Sequence, residues 1–171
     1  MNPLSDHAVV VRPARTGDVS AIRELIGSYT DDGRLLAKAQ VTLFEAVQEF
    51  VIAEQDGQIV GCGALHVMWE DLAEVRSLAV RPDLQGHGVG SAMLTTLLDH
   101  ARALGVRRVF CLTFEMDFFA RHGFAEIESA PVSHEVFAQL LQSYDEGVAE
   151  FLDLERVKPN TLGNHRMLLS L

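Results

Sequence analysis

The chain has 171 residues and a formal net charge of −10, from 14 Lys and Arg residues against 24 Asp and Glu residues. This length suits one domain, and we expect a single domain over residues 1–171. Hydrophobic residues make up 48% and charged residues 22% of the chain, which is typical of a folded domain and not of a disordered one. The acidic balance argues against nucleic acid or an anionic membrane as the partner.

Three further patterns bear on location and on metal binding. Residues 1–11 lack a basic-then-apolar export pattern and no apolar run is long enough to cross a bilayer, so we expect a cytoplasmic protein. Cys62 and Cys111 lie in apolar, strand-like runs, which predicts buried free thiols. The seven histidines include no pair at ligand spacing and the chain has no CxxC motif, so we expect no metal.

The first half of the chain is predicted to be rich in strands. Apolar residues recur at helical spacing from Val19 to Tyr29, and Asp56-Gly57 predicts a hairpin turn because both residues tolerate positive φ. The predicted elements are a strand at residues 9–12, helices at 19–29 and 41–47, and strands at 50–53, 59–67 and 72–80.

The second half alternates strands with helices, which together with the early strands indicates a mixed α/β sheet in one layered domain. A long helix has its apolar residues on one side and ends at Gly105. The predicted elements are helices at residues 88–104, 117–122 and 134–144, strands at 106–113, 124–127 and 166–171, and an extended segment at 150–154.

Three glycines link the strand at 72–80 to the long helix. Gly86, Gly88 and Gly90 allow backbone N–H groups to converge without obstruction by a Cβ, and the helix N-terminus adds partial positive charge. This arrangement predicts an anion site suited to a pyrophosphate. The spacing is neither GxGxxG nor that of a P-loop. A ligand-free turn and a nucleotide-dependent oxidoreductase are the alternatives.

These residues also carry a family resemblance. Residues 85–90, Gln-Gly-His-Gly-Val-Gly, are similar to the Q/R-x-x-G-x-G/A signature of the GNAT acetyltransferase superfamily, and residues 118–124 resemble its second element, a short helix closing in Gly-Phe. Residues 74–80, 150–154 and 158–164 resemble the short, single-domain N-acetylglutamate synthases of actinobacterial type, which lack an amino-acid kinase domain.

The resemblance implies an α/β (α+β) GNAT fold: a mixed central sheet splayed between two middle strands, with helices on both faces. It also implies acetyl-CoA as co-substrate. The pantetheine arm would pair with the main chain of Leu78, Ala79 and Val80, and the N–H near Leu78 would polarise the thioester carbonyl. The remaining implied coenzyme contacts are Gln85, Gly86, His87, Gly88, Val89, Gly90, Ser91 and Phe119.

The implied reaction is transfer of the acetyl group to the α-amino group of L-glutamate, the first step of arginine biosynthesis. Acetylation of another small amine (another amino acid, a polyamine, an aminoglycoside or a protein amine) and a silent acetyl-CoA sensor remain alternatives. The exposed sheet edges, including the strand at residues 166–171, would allow a homodimer.

Acetyl transfer requires a neutral amine, and therefore a base. Strand alternation puts Glu74, Arg76 and Leu78 on one face, and Glu74 is the candidate catalytic base; a salt bridge to Arg76 is its alternative role. Many superfamily members have a Tyr as general acid where this chain has Phe119, and Tyr29 and Tyr144 are both distant in sequence. The general acid is therefore open, with water or the amine proton as substitutes.

Glutamate carries two carboxylates, so local cations must hold it against a net charge of −10. An Arg fork fits a carboxylate, which favours Arg76 and Arg34 over Lys38. Each candidate also fits a solvated surface group. The complete set of predicted substrate contacts is Arg34, Lys38, Arg76, Ser77, Thr113 and Arg121.

Overall fold

The computed structural model describes residues 8–30, 39–152 and 164–171. Its strands are β1 (Val10–Pro13), β2 (Phe50–Gln55), β3 (Gln58–Trp69), β4 (Leu72–Val80), β5 (Arg108–Thr113), β6 (Ala125–Glu126) and β7 (His165–Ser170). Its helices are α1 (Val19–Thr30), α2 (Gln40–Glu45), α3 (Val89–Leu104), α4 (Met116–Arg121), α5 (His134–Leu140) and α6 (Glu146–Phe151).

The strands form a mixed sheet in the order β1-β2-β3-β4-β5-β7-β6. β4 runs parallel to β5, whereas β1–β2, β2–β3, β5–β7 and β6–β7 are antiparallel. The parallel pairing joins residues 72–74 to residues 108–110 and ends there, although both strands continue. β5 pairs with β7 along its whole length. The predicted mixed sheet with two diverging middle strands is confirmed.

The chain forms two compact units, each assembled from two stretches. The first unit comprises Met1–Ala64 and Ser77–Leu97, and the second comprises Leu65–Arg76 and Leu98–Leu171. β3 and β4 each contribute residues to both units.

In the first unit, two helices pack on opposite faces of β3. Buried residues of α1, such as Ile22, form one core cluster with Cys62 and Ala64 of β3. A Cβ built on Gly61 would lie 2.6 Å from Cε of Met93 in α3, so this glycine points to the other face of β3. Because successive strand residues alternate in direction, α1 and α3 cover opposite faces, as predicted.

In the second unit, α5 and α6 cover an apolar surface of β4 and β5. Leu72 and Phe110 share a core cluster with residues of both helices, and the rings of Phe110 and Phe151 meet edge to face at 4.9 Å. Arg166 of β7 donates hydrogen bonds to the carbonyl oxygens of Glu150 (2.9 Å) and Phe151. This guanidinium satisfies carbonyl groups at the end of α6.

The predicted extended segment at residues 150–154 is wrong, because residues 146–151 form α6. Asp145 caps this helix by accepting a hydrogen bond from the Val148 N–H at 3.1 Å. Gly147 weakens the helical pattern in the sequence, and packing of Val148 and Phe151 in the core overrides that weakness. Residues 153–154 lie outside the described residues.

Local predictions agree with the structure at the hairpin and at the cysteines. Asp56 and Gly57 have φ of 52° and 75°. Cys62 and Cys111 are buried free thiols, and burial raises the pKa of Cys62 to about 12. Within the described ranges, no helix has the length and apolar character needed to cross a membrane.

Candidate active site

The middle of β4 contains a strained residue. Ser77 has φ of 55° and is 8% exposed, and such a conformation costs a non-glycine residue roughly 1–3 kcal/mol. Simple alternation therefore relates Glu74 to Arg76 but does not extend through Ser77 to Leu78. Residues held in this conformation cluster at active sites, so this part of β4 is a candidate site.

Hydrogen bonds define the direction of the main chain beyond Ser77. The Ser77 carbonyl oxygen accepts a bond from Sγ of Cys62 in β3 at 3.4 Å, and the Arg81 N–H donates to the Val60 oxygen of β3 at 2.7 Å. Because main-chain groups alternate along a strand, Ala79 also faces β3, whereas Leu78 and Val80 face away from it. The Val80 carbonyl oxygen accepts a hydrogen bond from the Tyr29 hydroxyl.

The glycine segment follows a single turn of 3-10 helix, Pro82–Leu84. Gly86 and Gly88 have φ of 79° and 84°, and a Cβ at either would meet no atom within 4 Å. Glycine is therefore required there by conformation and not by space. Gly86 to Gly88 are exposed, α3 starts at Val89, and Gly90 lies inside α3. The first N–H groups of a 16-residue helix thus follow an exposed glycine turn, as an anion site requires.

Glu74, Arg76 and Asp145 form a network of two carboxylates around one guanidinium. Arg76 Nη2 lies 2.8 Å from Glu74 Oε2, and Arg76 binds Asp145 through both terminal nitrogens, at 2.8 Å and 2.7 Å. Glu74 is only 4% exposed. The structure therefore contains the salt bridge to Arg76 that was the alternative role of Glu74.

The close approach of α6 to this network depends on Gly147. A Cβ at Gly147 would lie 2.5 Å from Arg76 Nη2 and 2.5 Å from Glu74 Oε2. A glycine lets the helix backbone reach the charged groups without displacing them.

Arg76 controls the ionisation of Asp145. Burial acts to raise the pKa of Asp145, but hydrogen bonds and the positive charge of Arg76 outweigh burial and hold the pKa below its usual value of 3.8. Burial likewise acts to lower the pKa of Arg76, and Glu74 and Asp145 together raise it. His66 Nε2 lies 3.7 Å from Asp145 Oδ2, at the edge of the same network.

Other predicted site residues occupy distinct surroundings. Phe119 of α4 is 6% exposed and packs edge to face against Phe118 and Phe124, at 5.1 Å from each. Thr113 is buried, and its Oγ1 accepts a hydrogen bond from the Glu115 N–H at 2.8 Å. Arg121, at the end of α4, is exposed.

Two predicted substrate cations, Arg34 and Lys38, lie outside the described residues. Among the residues that are described, no group of three or more His, Cys, Asp or Glu side chains could hold a metal ion. His87 is exposed in the glycine turn and Ser91 lies in the first turn of α3.

Sequence reasoning missed Asp145, Gly147 and the contact of Tyr29. Asp145 carried a signal, since an Asp precedes the apolar residues of a short helix as an N-cap does. Gly147 and the Tyr29 contact carried no such signal, because their roles depend on which residues the fold places next to them.

We predict that Asp145→Asn lowers the free energy of unfolding by roughly 1–3 kcal/mol at pH 7. Asn keeps the helix cap but removes the charge that Arg76 binds. The difference from the unmodified protein should begin to shrink as the pH falls below about 4, because the unfolded chain then binds a proton at Asp145 that the folded protein, with its lowered pKa, does not yet bind. Urea titrations of both proteins between pH 7 and pH 3 measure this difference in the free energy of unfolding. A difference that stays constant over that range would contradict the prediction.

We predict that Gly147→Ala lowers the free energy of unfolding by roughly 1–3 kcal/mol, because the new methyl group displaces Arg76 and Glu74. Gly27→Ala is the matched control, since Gly27 lies inside α1 with no atom within 4 Å of its Cβ position. That control should raise stability by about 0.5–1 kcal/mol. Equal effects of both substitutions in thermal unfolding would refute the role of Gly147.

Known proteins resemble both the sequence and the fold. The model of the acetyltransferase (GNAT) family matches residues 20–124. An amino-acid acetyltransferase of Mycobacterium tuberculosis is 60% identical over 166 residues, covering 95% of this chain and 94% of that protein. The crystal structure of Rv2747 from M. tuberculosis, in complex with CoA and a second ligand, superposes with a TM-score of 0.92 at 59% identity, covering 95% of this chain and 99% of that one.

A longer relative has the same fold in one part of its chain. N-acetylglutamate synthase from Neisseria gonorrhoeae, complexed with coenzyme A and N-acetyl-glutamate, matches with a TM-score of 0.77 at 27% identity. The match covers 98% of this chain but 36% of that one. The family model and the M. tuberculosis relative each cover most of this sequence, and the chain therefore belongs to the GNAT family of acetyltransferases.

Proposed function

We propose that the protein transfers the acetyl group of acetyl-CoA to the α-amino group of L-glutamate and so acts in the first step of arginine biosynthesis. The observation that carries the proposal is the 60% identity to an amino-acid acetyltransferase, which extends over 94% of that protein's length. The bound coenzyme A and N-acetyl-glutamate of the N. gonorrhoeae synthase support the same donor and acceptor.

The glycine turn supports the coenzyme site. Gly86 and Gly88 adopt left-handed conformations in an exposed turn that leads directly into the N-terminus of α3, where N–H groups favour an anion. We propose that the segment from Gln85 to Ser91 binds the diphosphate. The main chain of Leu78 faces away from β3 and supplies the N–H that we propose polarises the thioester carbonyl.

Glu74 is the proposed general base. It would accept a proton from the acceptor's ammonium group, and the neutral amine would then attack the thioester carbon, forming an amide and releasing the thiolate. Phe119 has no proton to donate, so the second proton, which leaves the nitrogen as the C–S bond breaks and the amide forms, would reach the thiolate sulfur through water, and the proton held by Glu74 would pass to solvent. The burial of Glu74 and its bond to Arg76 fix the carboxylate in one orientation.

Arg76 is the proposed ligand of an acceptor carboxylate, in competition with Asp145. Its fork is already bound bidentately by Asp145, so a substrate carboxylate would share or displace that contact. Thr113 uses its oxygen as an acceptor and keeps its hydroxyl proton to donate. Ser77, Arg34, Lys38 and Arg121 complete the proposed substrate contacts.

Three broader expectations accompany this proposal. The match of the acetyltransferase family model to residues 20–124 supports one acetyltransferase domain over residues 1–171. The two free thiols fit a reducing cytoplasm. The sheet ends in β1 and β6, whose edges would allow pairing with a second copy of the chain.

The function is tested by measuring release of free CoA from acetyl-CoA across a panel of acceptors. We expect turnover with L-glutamate and identification of the N-acetyl product by mass spectrometry. Turnover with a polyamine or an aminoglycoside and none with glutamate would replace the proposed acceptor. Calorimetric binding of acetyl-CoA without turnover on any amine would instead indicate a sensor.

We predict that Glu74→Gln lowers kcat/KM for the acceptor about 100-fold, because a proton acceptor is lost while the shape of the side chain is kept. The loss should be largest below neutral pH, where the acceptor is protonated and most needs a base. Glu24→Gln, on the exposed side of α1, is the control and should leave the rate unchanged. A pH profile for Glu74→Gln that matches the unmodified protein would remove Glu74 from the mechanism.

We predict that Gly88→Ala weakens acetyl-CoA binding and destabilises the fold by roughly 1–2 kcal/mol, because alanine is strained at positive φ. Calorimetry and urea titration measure the two effects. Gly17→Ala is the control: its Cβ would also meet no atom within 4 Å, and its φ lies outside the left-handed region. Unchanged coenzyme affinity in folded Gly88→Ala would argue against a diphosphate at this turn.

A further inference from the structure

Tyr29 connects α1 to both ends of the turn that follows β4. Its side chain is buried, with 6% of the residue exposed. The hydroxyl donates a hydrogen bond to the carbonyl oxygen of Val80 and accepts one from Nε2 of Gln85. Val80 is the last residue of β4, and Gln85 directly precedes the first glycine.

The turn between these two residues is also held from within. The Leu84 N–H donates to the Arg81 oxygen at 2.9 Å, and Arg81 Nε donates to Asp83 Oδ1 at 2.7 Å. These bonds shape residues 81–84 but do not attach the turn to α1. The Tyr29 hydroxyl makes that attachment, and it does so at the side chain of Gln85, a residue that is otherwise exposed.

The Tyr29 hydroxyl binds β4 on the side that is available to a ligand. The Val80 oxygen lies on the side of β4 that faces away from β3, because the neighbouring Arg81 N–H bonds to Val60 of β3. An extended ligand that pairs with this side of β4 reaches a carbonyl group already bound by Tyr29. Tyr29 therefore contacts β4 at its last residue, before the turn that contains Gly86 and Gly88 and leads into α3.

We propose that Tyr29 is a positioning residue for the diphosphate of the donor, acting through Gln85 and Val80. The inference rests on the proposed function in one respect, namely that the donor is a coenzyme A thioester. The hydroxyl fixes the start of a segment whose two left-handed glycines leave it little stiffness of its own. A segment fixed before binding loses less conformational freedom when the ligand binds.

The test compares two donors that share the acetylated pantetheine arm. Acetyl-CoA carries the diphosphate, and S-acetylpantetheine lacks it. Tyr29→Phe keeps the buried ring and removes both hydrogen bonds. We expect kcat/KM for acetyl-CoA to fall about tenfold, through KM and not kcat, while kcat/KM for S-acetylpantetheine changes less than twofold.

Three further variants separate positioning from a loss of folding. Gln85→Met changes an exposed residue and should reproduce the selective loss, and the Tyr29→Phe/Gln85→Met pair should lose no more than either single variant. Tyr144→Phe is the matched control, because Tyr144 is 96% exposed and its substitution should change neither donor. Thermal unfolding of each variant shows whether it remains folded.

The outcomes discriminate clearly. An equal loss with both donors, or no loss in folded Tyr29→Phe, overturns the positioning role while leaving the acetyltransferase proposal intact. Additive losses in the double variant would mean that Tyr29 and Gln85 act separately, which also overturns it. If the unmodified protein neither binds CoA in calorimetry nor releases it from acetyl-CoA, the proposed function fails and this inference fails with it.

Discussion

The left-handed conformation of Ser77 determines how β4 is used. A regular strand would continue the same alternation from Leu72 to Val80. With φ of 55° at Ser77, the strand presents Glu74 and Arg76 as side chains before the interruption, and main-chain groups after it. The Cys62 thiol donates a hydrogen bond to the Ser77 carbonyl oxygen. Strain of this kind persists where surrounding contacts over-determine it, and the burial of Ser77 and Cys62 meets that condition.

Charge in the second unit is organised around one buried guanidinium. Two carboxylates share Arg76, which leaves these three side chains with one excess negative charge. The same network explains how the Arg76 side chain can be only 11% exposed, because an unpaired charge there would be costly. Gly147 and the cap of α6 are structural requirements of this arrangement, since the helix must approach within contact distance of the charged groups.

Most of the fold and part of the site were predictable from sequence. The strands at residues 50–55, 58–69 and 72–80, the hairpin at Asp56 and the long helix α3 follow from hydrophobic periodicity and from turn residues. The glycine turn was predictable for the same reason, because its conformation depends on residues adjacent in sequence. Helix α6 was not, because Gly147 lowers its intrinsic propensity and core contacts of Val148 and Phe151 stabilise it.

The sequence by itself determined the family, the elements up to α5 and the glycine segment that predicts an anion site, since each depends on local spacing and on residue type. Tertiary structure alone decided that Arg76 binds a carboxylate 69 residues away and that the Tyr29 hydroxyl meets Gln85, 56 residues away. Such partners are selected by the packing of helices on a sheet, and packing brings together residues whose separation in the chain carries no periodic signal.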